Sequence, residues 1–263
     1  MIGYAVKPEK NNQKNDAKIN KTKETYSGIH IYARTFLKWL AITAAACFLL
    51  SILAVLSLRW INPPRSSFMV QRQLAAWWQN EDNFELQYEW TDWENISGYT
   101  KIAAITAEDQ RFADHWGIDM EQVEKAIEES KRGENLRGAS TITQQTAKNL
   151  FLWPGQNFVR KGIEAYFAVL LELLWSKKRI LEMYLNIAEF GNGVYGVKSA
   201  SRQYFNTTPR NLNMNQSALL VTALPSPKRY NLANPSSYMI ERRNWNLQYM
   251  RYLGNRDYLK KLK

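Results

Sequence analysis

From residue 39 to residue 58 the chain runs twenty positions without a charge, WLAITAAACFLLSILAVLSL. As a helix rising about 1.5 Å per residue this stretch is roughly 30 Å long, the thickness of a bilayer's hydrocarbon core. Beyond it, apolar residues recur mostly at three- and four-residue spacing, which predicts helices. Ile102, Ala103 and Ile105 lead one helix into Glu108, and Val123 and Ile127 lie in a charged helix ending at Gly133. Residues 158–175 predict a long helix, and Ile180, Leu181, Tyr184, Leu185 and Ala188 another. An apolar helix over 218–224 is stopped by Pro225 and Pro227. Strand signals are few, with 84–90 a short extended stretch. The chain therefore reads as mainly α.

Charge divides the chain. Of its 263 residues, the first 38 carry eight basic side chains and three acids, so +5 of the net +11 lies there and +6 in the remainder. Residues 7–27 are nearly devoid of apolar side chains and read as a flexible arm. Lys38 and Arg59 bracket the uncharged run, with Trp39 and Trp60 where interfacial aromatics belong. A cleaved signal has a shorter apolar core followed by small residues, whereas Arg59-Trp60-Ile61-Asn62-Pro63-Pro64 follows here. The expected organisation is a basic cytoplasmic tail (1–38), a transmembrane helix (39–58) and one extracytoplasmic domain (59–263). Positive charge ahead of the span predicts a single-pass protein of the cytoplasmic (inner) membrane, its domain on the periplasmic or external face. Membrane phospholipid is then a partner and nucleic acid is not. Cys47 is the single cysteine, and the two histidines, His30 and His115, are far apart, which excludes a disulfide framework and a His-rich metal centre.

Four segments carry candidate chemistry. In EDQRFADHWG (108–117), Glu108 and Asp109 end an apolar helix beside its partial negative pole. That pole and the adjacent like charge should raise at least one carboxyl pKa, which suits a general base or acid. The ordinary alternative is a solvated acidic helix end. In RGASTITQQTAKNLF (137–151), Thr141 and Gln144 fit a capping box. At 100° per residue Thr141, Gln144, Gln145 and Lys148 share a sector of about 100°, a donor-rich strip suited to a phosphate or sugar, or else a wet amphipathic face. Arg160, Lys161 and Glu164 open a helix that becomes almost wholly apolar. With Lys148 these cations suit a diphosphate, or form a surface salt-bridge cluster. Glu172, deeper in that run, is costly to bury alone. Finally, Gly191-x-Gly193-x-x-Gly196 spells a dinucleotide fingerprint, but a helix precedes it and no βαβ unit surrounds it; a tight turn is expected.

Five stretches, EDQRFADHWGID (108–119), RGASTITQQTAKNLFL (137–152), RKGIEAYFAVLLE (160–172), KKRILEMYLNIAEFGNGVYG (177–196) and ALLVTALPSPKRYNL (218–232), stand in the order found in one family. The chain resembles the monofunctional peptidoglycan glycosyltransferases, relatives of the glycosyltransferase domain of class A penicillin-binding proteins, from Arg59 onward. The resemblance implies a lysozyme-like, mainly α domain that polymerises lipid II into β-1,4-linked glycan strands and releases polyprenyl pyrophosphate. It implies Glu108 as general base and Glu164 as the second essential glutamate, assisting the leaving group directly or through Mg²⁺ or Mn²⁺. Lys148 and Arg160, with Lys161, would hold the donor pyrophosphate. Asp109 would join the substrate-binding set, and Ser140, Thr141, Gln144 and Gln145 would line the cleft. Lipid II, the growing glycan strand and other cell wall synthesis or division proteins are the implied partners. The loop 153–157 lacks the extra basic residue that some relatives carry before Arg160.

Two other readings compete. A lysozyme-like glycan hydrolase also needs a buried acid, which Glu108 supplies, yet hydrolysis calls for no cationic strip aimed at a diphosphate. A non-enzymatic scaffold would tolerate joint loss of Glu108 and Glu164. No Ser-x-x-Lys or Lys-Thr-Gly occurs, so transpeptidation and covalent penicillin binding are not expected.

Overall fold

The computed structural model describes residues 10–133, 140–155 and 157–262, the side chains of 10–33 excepted. Helix α1 spans Lys10–Ser57. Its segment Arg34–Ser57 is long and apolar enough to cross a membrane, and almost none of it is covered by protein. The arm expected at 7–27 is thus helical from Lys10: between Lys10 and Ser57 there is no proline and one glycine, Gly28, so no proline breaks the helix. Positions 1–9 lie outside the described residues. The apolar helix also ends at Ser57, one residue before the expected boundary.

The chain divides into two compact units, one reaching Ala54 and one spanning Val55–Lys263. The second therefore begins a few residues earlier than expected, because it satisfies carbonyls that a helix end leaves open. Trp175 Nε1 donates to Val55 O at 2.8 Å, and Arg179 donates to Leu58 O (2.9 Å) and Ile61 O (3.1 Å).

Within this unit, α2 (Ser67–Trp78) starts at Ser66, whose hydroxyl accepts from Met69 N–H. Helix α3 (Gly98–Glu108) is the centre: Ile102, Ala103, Ala104 and Ile105 are all fully buried, the mark of a helix apolar on every side. Then come α4 (Met120–Lys131), α5 (Ile142–Phe151), α6 (Phe158–Leu174) and α7 (Lys177–Ile187). Helix α8 (Gly196–Phe205), α9 (Met214–Leu220) and α10 (Ser237–Tyr252) complete the set. The apolar run before Pro225 tightens into a 3₁₀ turn at Val221–Ala223. Helix α5 packs on α6 and α7, while α3 packs on α9 and α10.

One small sheet packs against α8. β1 (Gln87–Tyr88), inside the extended stretch expected at 84–90, runs parallel to β3 (Val194–Tyr195), and β2 (Glu189–Gly191) runs antiparallel to β3. The glycines of the false dinucleotide fingerprint serve the end of β2 (Gly191), the β2–β3 turn (Gly193) and the start of α8 (Gly196). Gly193 (φ 78°) and Gly196 (φ 79°) adopt left-handed conformations, and a Cβ would lie 2.8 Å from Glu85 O at the first and 2.6 Å from Asn186 O at the second.

Candidate active site

The last residue of α3 is Glu108, and a hydrogen-bonded brace fixes the segment after it. Asp109 is buried; its Oδ1 pairs with His115 Nε2 at 2.8 Å and its Oδ2 accepts from Ile142 N–H at 3.0 Å. The carboxylate expected to touch substrate thus ties the end of α3 to the start of α5, both oxygens occupied. Thr141 and Gln144 are also turned inward. Thr141 caps α5 by accepting from Gln144 N–H and donates to Gly117 O, while Gln144 Oε1 accepts from Thr141 N–H. The capping box is present as expected, and its completeness is what withdraws these two side chains from the cleft.

Gln145 and Lys148, on the same helix, do line a cleft of about 400 Å³. Phe68 of α2 and Tyr184 of α7 share its wall, with Glu189, Tyr195 and the segment 224–229. Gln145 Nε2 donates to Glu108 Oε2 at 2.8 Å, and Tyr184 Oη donates to Gln145 Oε1 at 3.2 Å, so the amide bridges the buried phenol and the carboxylate. Burial raises the Glu108 pKa above its ordinary 4.5; the Gln145 donor and the charges of Arg242 and Lys148 oppose the rise, and Asp109 adds to it. The expectation of a raised carboxyl holds, with burial rather than the helix pole as the main cause.

A cationic group stands beside this carboxylate. Burial lowers the Lys148 pKa; the charges of Glu164 and Glu108 oppose that, and those of Arg160 and Lys161 add to it. Arg160 Nη1 binds Glu164 Oε2 at 2.9 Å, and Lys161 binds the other Glu164 oxygen while donating to Ser140 Oγ at 3.1 Å. Three cations (Lys148, Arg160, Lys161) against two carboxylates (Glu108, Glu164) leave a local excess of one positive charge. Among the described residues the buried Nε–H of Arg160 has no partner, which leaves a donor for an added anion. Glu172 is not alone either: it accepts from Thr143 Oγ1 at 2.6 Å and pairs with Lys177 at 2.8 Å.

A divalent cation does not fit at Glu164. That side chain is 2% exposed and both its oxygens are held by cations. Among the described residues the one cluster of carboxylate and imidazole groups is Asp109, His115 and Asp119, and the Asp109 oxygens are already committed to His115 and Ile142.

Sequence reasoning missed the opposite wall. Pro225, Ser226, Pro227, Lys228 and Arg229 line the cleft, and the signal for them was a basic pair directly after two helix-stopping prolines. It also missed Glu189, whose pKa burial raises and whose Oε1 accepts from Gly193 N–H at 3.1 Å, and Arg242, which acts on Glu108 from α10. Arg137, Gly138 and Ala139, in the stretch expected to precede α5, lie outside the described residues, as does Gln156 of the 153–157 loop.

A buried carboxylate of raised pKa held by Gln145 of the cleft wall, with Lys148 in that wall and the Arg160–Lys161–Glu164 group acting on Lys148, is the equipment of a glycosyl-transferring enzyme with an anionic leaving group. The chain matches a family model described as Transglycosylase over residues 74–251. It is 46% identical over 212 residues to a protein of Pseudomonas savastanoi pv. phaseolicola and 47% identical over 212 residues to one of Pseudomonas putida strain F1. Each is named a biosynthetic peptidoglycan transglycosylase, and each alignment spans 81% of this chain and 89% of the relative. The chain belongs to the transglycosylase family.

Proposed function

We propose that this protein is a peptidoglycan glycosyltransferase that extends glycan strands from lipid II, with the reaction centred on Glu108. Glu108 as a carboxylate takes the proton from the acceptor sugar hydroxyl as that oxygen attacks the anomeric carbon of the donor. The bond to pyrophosphate breaks, and the leaving electron pair ends on a phosphate oxygen. Lys148, Arg160 and Lys161 surround that developing charge, and the unpartnered Arg160 Nε–H is the observation that favours an anionic leaving group over water-driven hydrolysis. Glu164 serves by holding Arg160 and Lys161 in place rather than by touching the sugar. Gln145 keeps the base oriented, and Ser140 positions Lys161. No step passes through a metal.

The segment Arg34–Ser57 is long enough to anchor the enzyme in the membrane that carries its lipid substrate. The positive charge ahead of it supports a cytoplasmic N-terminus and an external catalytic unit. Docking to other cell wall synthesis or division proteins is compatible with that location.

The test is lipid II consumption by purified full-length protein, with and without EDTA, beside incubation with finished glycan. Wild type should polymerise lipid II in both conditions and leave the glycan uncut. Glu108→Gln should slow polymerisation about 10²–10⁴-fold, the usual contribution of a positioned base. A folded Glu108→Gln protein working at wild-type rate sinks the assignment, and glycan cleavage by wild type would establish the hydrolase instead.

A further inference from the structure

Helix α10 carries aromatic side chains where packing does not demand them. Its buried residues are Met239, Asn246 and Met250. At 100° per residue, Tyr238, Arg242, Trp245, Tyr249 and Tyr252 fall within a sector of about 80°, centred about 100° away from that buried face. Tyr238 and Arg242 line one small cavity, and from Arg242 onward neighbours stand close: the Arg242 guanidinium lies 4.9 Å from the Trp245 ring, Trp245 and Tyr249 stand 4.4 Å apart, and Tyr249 and Tyr252 6.3 Å apart. Tyr230 stacks on Tyr238 at 5.6 Å and extends the row back to the segment that walls the cleft. Tyr238 is 51% exposed and Tyr252 84%, so the row opens to solvent as it leaves the cleft. Over its fifteen residues the row is roughly 21 Å long.

The row reaches the wall of the cleft. A small cavity is lined by Ala107, Pro225, Tyr238, Arg242 and Trp245, Pro225 also lines the main cleft, and the charge of Arg242 acts on Glu108. The aromatic face is electron-rich and flat, and the C–H edges of a pyranose ring are its complement; Tyr and Arg add hydroxyl and guanidinium donors for sugar oxygens. A ladder of rings leading away from a site that handles sugars matches a repeating sugar chain better than it matches a single small molecule.

We propose that the aromatic row from Tyr230 and Tyr238 through Trp245 to Tyr252 is a track that binds the carbohydrate backbone of the glycan strand outside the cleft. The proposal rests on the glycosyltransferase reading and deepens it. Each ring stacks on sugar faces, so the track holds the strand near Glu108 between additions and lengthens the products.

The experiment uses full-length protein in detergent micelles, titrated with peptide-free oligosaccharides of the glycan repeat in graded lengths. Binding is measured in the Glu108→Gln background so that turnover plays no part. Tyr252→Ala, on an exposed position, and Tyr249→Ala should each weaken binding of the longer oligosaccharides about 3- to 10-fold, whereas Tyr252→Phe and Tyr249→Phe should keep it. With Glu108 present, Tyr249→Ala/Tyr252→Ala should give shorter strands from lipid II. Unchanged oligosaccharide binding in the alanine variants overturns the track, as does an equal loss in the phenylalanine variants. Weakened partition into phospholipid vesicles with oligosaccharide binding intact overturns it in favour of a lipid contact. Failure of the wild-type protein to consume lipid II would instead count against the glycosyltransferase reading.

Discussion

Among the described residues Gln145 is the one side-chain donor to Glu108, at 2.8 Å; replacing it with alanine leaves burial to act on the carboxylate with Arg242 and Lys148 opposing it. A hydrogen bond to a charged acceptor contributes about 1.5–3 kcal/mol, which corresponds to roughly 10- to 100-fold in the balance between the protonated and ionised base. The sign is set by the donor's role. An N–H stabilises the carboxylate, so its loss raises the Glu108 pKa further, and a base is active only when ionised. The acidic limb of the kcat/KM profile should therefore move to higher pH, with activity lost most at low pH and regained as pH rises. Tyr184→Phe should shift the limb in the same direction by less, because it only frees the amide to turn. The assay is initial-rate lipid II polymerisation across pH, with thermal melts as a folding control. A uniform loss at every pH, with the limb unmoved, would show that Gln145 serves the substrate or the fold and would refute this role for the amide.

Two further predictions concern stability. Glu108 has a folded-state pKa raised above 4.5, so its contribution to stability is full below the unfolded value and is lost as pH rises through the folded one. Glu108→Gln should therefore melt above wild type at neutral pH and match it at pH below 4.5; thermal melts over pH check this, and identical curves at all pH values contradict it. Arg160→Ala leaves the 2% exposed Glu164 with Lys161 alone, which should cost about 3 kcal/mol and roughly 6–12 °C in Tm. Arg160→Ala/Glu164→Ala should regain much of that stability without regaining activity, and a double variant no more stable than the single one would show that the pair is not what stabilises this corner.

The elements with a strong periodic or capping signal were legible one by one. Residues 158–175 lie over α6, and the Thr141–Gln144 box starts α5, because spacing and capping are local properties of the chain. Helix α10 was not legible, since its apolar, aromatic and basic positions show no single amphipathic side; α2 and α8 were also passed over. Of the candidate site, the facing of the side chains was not legible. Gln145 and Lys148 reach the cleft, whereas Thr141, Gln144 and Asp109 spend their polar atoms inside the protein.

The uncharged helix, the mainly helical domain, the family and the candidate carboxylate Glu108 with the cations Lys148, Arg160 and Lys161 can all be read along the chain. Each of these is written in short-range order, in run length, three-to-four spacing or motif spelling. Which polar groups are free is settled only when the helices pack. Whether Asp109 meets a substrate or His115 and Ile142, and whether Glu164 meets a metal or two cations, depends on how the packed chain turns and pairs these side chains. The same is true of the pKa of Glu108, because burial is a property of the packed cleft and not of the helix end on which the residue lies.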